Sequence, residues 1–186
     1  IPSISKIIQE HYNPIIRKIR TIEKPVVAAV NGVAAGAGAS VALACDIVVA
    51  TESASFIQAF SKIGLIPDSG ATFFLPRYVG MQKATALMMT AEPVSAKDAE
   101  QMGMIYKAFS DEAFETESWQ LVSNLAQMPT KGLGLTKRLL NASNTNNLEE
   151  QLSMEDECQV IAANTADFKE GVQAFLEKRK TNFKGE

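Results

Sequence analysis

The chain has 186 residues, 46% hydrophobic and 21% charged, enough for one domain with a genuine core. A net charge of −3 argues against broad nucleic-acid binding, the one dense basic cluster being Lys178-Arg179-Lys180 with Lys184 beyond it. No window approaches the roughly 18 consecutive apolar residues of a membrane span. Cys45 and Cys158 lie far apart without CxxC or Cys/His spacing, which points to reduced thiols in a cytoplasmic setting and against a zinc site.

Ile4, Ile7, Ile8, Ile15, Ile16 and Ile19 recur at helical spacing and predict an amphipathic first helix, broken or kinked at Asn13-Pro14. The sequence opens inside this pattern at Ile1, with no charged leader and cleavage site, so it does not read as a signal peptide and is expected to be part of something longer. A strand is predicted at Val26–Val30, a Gly/Ala loop after Asn31-Gly32, a small-residue helix from about Gly38 to Cys45, and a strand at Ile47–Ala50. After a mixed segment, Ser53–Phe60, a glycine- and proline-punctuated turn runs from Lys62 to Gly70. It opens a helix through Phe73, Phe74 and Leu75 to Val79, which Gly80 ends and Pro76 should kink or shorten. Met81–Met89 is predicted helical, with Ala84, Leu87 and Met88 on one face; Met88, Met89, Met102 and Met104 read as core filling.

Ser95-Ala96-Lys97-Asp98 resembles a capping box ahead of a short helix closed by Gly103, and Ile105–Phe109 reads as a strand. Helices then follow at roughly Asp111–Ala126, Lys131–Ala142, Leu148–Ala163 and Asp167–Lys180. No period of 20–50 residues is visible. The expected organisation is a mixed α/β part, residues 1–120, and a helical region, residues 121–186, for subunit contacts.

Two places carry chemistry. The small residues of the Gly/Ala loop would let a ligand approach the backbone and leave free N–H groups at a helix start, which favours negative charge. A phosphate-binding P-loop would end in Gly-Lys-Ser/Thr, but Gly38-Ala39-Ser40 has no lysine. A dinucleotide fingerprint needs glycine where Val41 stands, and the following helix is too short for a normal crossover, although Glu52 sits where a ribose-binding acid could. A tight helix–sheet contact and an oxyanion-binding loop remain. The second place is Asp68. An aspartate directly before a helix can simply be its N-cap. Ile63, Leu65, Ile66 and Pro67 precede it, however, and Ser69, Gly70 and Ala71 follow. An apolar surrounding favours the neutral carboxyl and a helix N-terminus the charged one, a balance that suits a base that must take a proton and give it back. His11 reads as a surface residue, and Ser40 has no local base, which argues against a Ser-His-Asp triad.

KPVVAAVNGVAAGAGASVALACDIVVATESASF, AFSKIGLIPDSGATFFLPRYVG, SAKDAEQMGMI and FKEGVQAFLEKRKTNFKG together resemble the crotonase (enoyl-CoA hydratase/isomerase) superfamily, in the right order and over essentially the whole chain. NGVAAGAGA, AFSKIGLIPDSG and Pro129–Leu135 are most similar to the branch that isomerises ring-1,2-epoxyphenylacetyl-CoA in phenylacetate degradation. The resemblance implies an α/β fold, a spiral of ββα turns with a helical C-terminal region that forms a homotrimer or dimer of trimers, its N-terminal part outside this sequence. It implies an acyl-CoA thioester substrate, with coenzyme A part of that substrate, no separate cofactor and no metal. One oxyanion-hole donor falls on the Ala37 N–H and the other on an upstream segment that this sequence lacks. The two glutamates of hydratases fall on Ser40 and Phe60, so hydration is not expected. Asp68 stands where isomerase members place their acid. Phe175 and Lys178 match positions that contact coenzyme A. Isomerisation of the ring epoxide or of a 3-enoyl-CoA is the expected activity, and a non-catalytic CoA-binding partner the alternative.

Overall fold

The computed structural model describes residues 3–186. Two compact units divide the chain, one formed by the chain up to Arg20 together with Val26–Trp119, the other by Thr21–Pro25 with Gln120–Glu186.

The first unit starts with α1 (Ile4–Ile7), a π-helical stretch (Ile8–Tyr12) and α2 (Asn13–Thr21). Asn13 N–H reaches back to the Ile8 carbonyl, and this wider turn takes up Pro14, whose ring and missing N–H would otherwise break an α-helix. Next come β1 (Val27–Val30), β2 (Val33–Ala35) and α3 (Ala37–Ala44), then β3 (Ile47–Thr51), β4 (Ser55–Ile57), a 3-10 turn (Ala59–Ile63) and α4 (Ala71–Val79). Like strands of successive turns pair in parallel: β1 on β3 with Val27 beside Ile47, and β2 on β4 with Val33 beside Ser55. The chain thus climbs as a spiral of ββα turns. α5 (Met81–Thr90), β5 (Val94–Ser95), α6 (Ala96–Gln101) and β6 (Lys107–Phe109) extend both sheets, giving the orders β1-β3-β6 and β2-β4-β5. The repeat is masked in the sequence where paired places hold unlike side chains, as Ala34 beside Phe56 does, although β1 and β3 pair aliphatic residues with aliphatic residues.

Three short strands depart from the sequence expectation. β2 occupies the Gly/Ala loop, β4 the mixed segment, and β5 precedes α6. Two or three residues cannot show a period, and alanine has little strand preference of its own; backbone pairing with a neighbour makes them strands. The strand expected at Ile105–Phe109 begins only at Lys107, although Tyr106 N–H already bonds the Val48 carbonyl at 2.8 Å. Pro76 does not shorten α4, which runs to Val79; the Arg77 guanidinium donates to the Phe73 carbonyl, one turn back, at 2.7 Å. Ser95 caps α6 by accepting the Asp98 N–H at 3.1 Å, but the Asp98 carboxylate answers the Ser95 hydroxyl rather than its backbone.

Leu43 and Leu75 are fully buried in a core with Val48, Phe56, Val94, Met104 and Ile105, and small residues such as Ala39 and Ala50 let the elements approach closely. Met88 and Met102 pack on this core, whereas Met89, 74% exposed, faces solvent at the end of α5. Asp46, following α3, fixes the corner: it accepts Val26 N–H at 2.8 Å, and Arg20 spans its carboxylate at 3.1 Å and the Ala44 carbonyl at 2.9 Å.

After α7 (Phe114–Ala126) the second unit holds α8 (Thr130–Ala142), α9 (Leu148–Ala163) and α10 (Ala166–Glu177). Asn147 and Glu150 form a full capping box at the start of α9. Glu23 pairs with Arg138 and Lys131, and hydrogen bonding from Arg138 holds its carboxyl below the usual range. Beyond α10 the chain folds back: buried Asp167 accepts the N–H groups of Lys184 at 2.7 Å and Gly185 at 2.8 Å. Glu170 binds Arg179 at 2.7 Å and the Asn182 N–H at 2.8 Å, which, led by the Arg179 bond, lowers its pKa to about 2. Among the described residues no helix is long and apolar enough to cross a membrane.

Candidate active site

The end of β2 delivers the chain to α3 through Gly36. Its N–H bonds the Ile57 carbonyl at 2.8 Å, and its backbone lies at φ 54° and ψ −124°, a conformation that glycine alone adopts without strain. Ala37 is then the first helical residue, with no carbonyl one turn behind it, and among the described residues no acceptor takes its N–H. Ser40, fully buried, donates its hydroxyl to the Gly36 carbonyl at 3.1 Å. On the other side a Cβ built on Gly36 would lie 3.9 Å from the Phe60 ring. Ser40 and Phe60, expected from the resemblance at the places of two hydratase glutamates, thus both lie at the residue before Ala37, and neither is a carboxylate.

Asp68 lies in the turn into α4. Its carbonyl accepts Ala71 N–H at 3.0 Å across Ser69 and Gly70, whose φ angles are 53° and 81°. This double positive φ is the type I′ pattern. The N-cap position belongs to Gly70, so capping is not the role of the Asp68 side chain. Its Oδ1 instead accepts the Ser69 hydroxyl at 3.0 Å. The expected apolar pocket is absent from this unit: Ile63, Leu65 and Ile66 are 73%, 44% and 80% exposed, because the 3-10 turn ends at left-handed Gly64 and the chain then runs outward. Asp68 is half-buried beside an exposed apolar rim. α3 and α4 are tied where the Tyr78 hydroxyl donates to the Leu43 carbonyl at 2.9 Å, and burial pushes that phenol's pKa up, so it stays a donor. His11 is exposed, and Glu52 is paired with Lys97 at 3.1 Å.

The other two candidates belong to the second unit. Phe175 projects from α10, 83% exposed, not in a core. Lys178 stands just past the helix in left-handed conformation, φ 55°, and is exposed. Phe175 borders an apolar groove of about 540 Å³ with Pro129, Phe168, Val172, Leu176 and Phe183. Sequence reasoning missed Ser69 and Asp167, whose partners give them their roles. Among the described residues no three His, Cys, Asp or Glu side chains gather as a metal site would need.

A spiral of ββα turns with β1-β3-β6 and β2-β4 paired in parallel and β5 joining β4 antiparallel, a glycine-led helix start and a carboxylate in a neighbouring turn, defines a crotonase-type fold. The sequence matches the Enoyl-CoA hydratase/isomerase family over residues 2–186. The chain belongs to that enzyme family. It is 46% identical over 184 residues to the 1,2-epoxyphenylacetyl-CoA isomerase of Escherichia coli (strain K12), covering 99% of this chain and 70% of that protein. It is 44% identical over 183 residues to a Rhodobacter capsulatus protein named "Probable enoyl-CoA hydratase", covering 98% and 71%. Among solved structures, an enoyl-CoA hydratase from Polaromonas sp. JS666 superposes with a TM-score of 0.90 at 34% identity, over 98% of this chain and 72% of that one.

Proposed function

We propose that this protein is an acyl-CoA isomerase in which Asp68 moves the proton and the Ala37 N–H is one of the donors that hold the thioester oxygen. The observation that carries this reading is the pairing of Ser40 and Phe60 around Gly36. Adding water across a double bond uses one carboxylate to activate water and another to manage the second proton; neither place supplies one here. Asp68 is the carboxylate that remains, and one is sufficient for a shuttle. With a 3-enoyl-CoA, the Asp68 carboxylate takes a proton from C2, and the electron pair passes into the thioester carbonyl. The oxyanion so formed lies against the Ala37 N–H and the start of α3. The same carboxyl returns the proton at C4, leaving the double bond between C2 and C3 and the enzyme unchanged.

The preferred substrate in this reading is ring-1,2-epoxyphenylacetyl-CoA, isomerised to its oxepin, as the name of the Escherichia coli relative suggests. The 3-enoyl to 2-enoyl shift is the alternative. Exposed Ile63, Leu65 and Ile66 offer an apolar surface to the acyl part. Phe175 and Lys178 would contact the coenzyme A adenine and phosphate, with coenzyme A arriving as part of the substrate and no separate cofactor required. The exposed apolar residues of α9 and α10, including Leu152, Val160, Phe168 and Leu176, support subunit contacts through this region, in the homotrimer or dimer of trimers that the family resemblance implies. A cytoplasmic location fits the free cysteines.

The test is turnover of both isomerase substrates and of a 2-enoyl-CoA by the full-length protein, beside Asp68→Asn. The expected result is isomerisation without hydration, lost in the variant. Hydration of the 2-enoyl-CoA at a comparable rate, or CoA-ester binding with no turnover at all, would overturn the assignment.

A further inference from the structure

We propose that Ser69 is a positioning residue for Asp68, fixing the carboxylate through Oδ1 so that Oδ2 is the oxygen that carries the substrate proton. This rests on the assignment of proton transfer to Asp68.

Ser69 is a residue that does not suit its backbone. Ser69 and Gly70 are the two central residues of the turn closed by Ala71 N–H on the Asp68 carbonyl, both at positive φ. Such turns favour glycine, asparagine or aspartate at these places, because a Cβ is disfavoured there. At Gly70 glycine is strongly favoured, since a Cβ would stand 2.7 Å from the Phe74 ring, which would have to shift. At Ser69 the backbone alone would be better served by glycine or asparagine. Serine contributes something the backbone does not need: its Oγ, on a residue only 3% exposed, lies 3.0 Å from Asp68 Oδ1.

The consequence is a division of labour between the two carboxylate oxygens. A hydroxyl has one hydrogen to donate, and this one is directed at Oδ1. Among the described residues Oδ2 accepts no hydrogen bond, so it is the oxygen left for chemistry. Without Ser69 the half-buried carboxylate would rotate about its last bond, a broad and soft torsion, and spend less time aligned with the C2 proton. Non-glycine residues at positive φ carry a conformational cost and persist where the surrounding structure fixes them; Ser69 adds to that a hydroxyl placed on the Asp68 carboxylate.

The experiment compares Ser69→Gly and Ser69→Asn with wild type and Asp68→Asn in the full-length protein. It reads kcat, KM, thermal melting and exchange of the C2 proton of a saturated acyl-CoA analogue in D2O. Ser69→Gly relieves the backbone and removes the donor. Melting should be equal or slightly higher, KM within about twofold, and kcat and exchange lower by about ten- to hundredfold. Ser69→Asn, which tolerates positive φ and keeps a donor, should recover part of the loss. Ser69→Gly with wild-type kcat overturns the inference. So does an equal loss in both variants with KM rising alongside, which marks a merely structural role. Asp68→Asn separates the levels: if it keeps full turnover, the proton-transfer assignment fails whatever Ser69 does. If it is inactive while Ser69→Gly is not, only the positioning role fails.

Discussion

The entrances to α3 and α4 solve the same local problem with opposite means. Gly36 leads into α3 at φ 54°, and Ser69 and Gly70 lead into α4 at φ 53° and 81°. The first entrance presents only backbone, the Ala37 N–H, and the side chains around it, Ser40 and Phe60, are uncharged. The second presents a carboxylate and a hydroxyl. A backbone device is sensitive to geometry and indifferent to side-chain chemistry, while a side-chain device is the reverse. A change of reaction within such a scaffold is therefore expected in side chains, at Asp68 and at Ser40 and Phe60, and not in the backbone that positions the Ala37 N–H.

Asp68→Asn preserves shape and removes the base. Turnover should fall by about 10²- to 10⁴-fold with melting unchanged. Next is Gly36→Ala. The new Cβ would meet Phe60 only at 3.9 Å, so its cost is conformational, and it shows as a displaced Ala37 N–H. Turnover should drop by about 10- to 10³-fold, measured as kcat with a 3-enoyl-CoA. Gly70→Ala combines a φ of 81° with a Cβ 2.7 Å from Phe74, and should cost about 1–3 kcal/mol in denaturant unfolding.

The smallest effect extends the comparison to the C-terminal tail, where side-chain carboxylates hold backbone. Glu170 titrates lower in the folded chain, at about 2, than its ordinary value of 4.5. A depressed carboxyl stabilises above its ordinary value and loses that contribution as pH falls through the folded one. The Asn182 amide should therefore stay protected from hydrogen exchange above about pH 5 and lose protection between about pH 4.5 and 2. In Glu170→Gln it should exchange faster at neutral pH.

How legible this was in the sequence followed the length of each element. α9 appears at Leu148–Ala163 as its helical pattern predicts, and β1 and β3 were announced by β-branched runs. β2, β4 and β5 were not, since their identity lies in register with a partner and not in their own residues. Asp68 and the Gly/Ala loop stood out by local pattern, and Ala37 within that loop only through the family resemblance, but the pattern misjudged the surroundings of Asp68. The cap falls on Gly70, and Ile63, Leu65 and Ile66 point outward instead of walling a pocket. Ser69 was invisible because its positive φ is imposed by the turn and its use by a neighbour's carboxylate. Asp167 was hidden likewise: it binds the backbone of Lys184 and Gly185, distant in sequence.

The most direct measurement is the fate of the C2 proton itself. Incubated with 3-enoyl-CoA in D2O, the full-length wild type should move the double bond, the C2 proton passing through Asp68 to C4 or exchanging with solvent on the way. Asp68→Asn should neither isomerise nor exchange while still binding the CoA ester. Isomerisation by the variant at the wild-type rate would contradict the account at its centre.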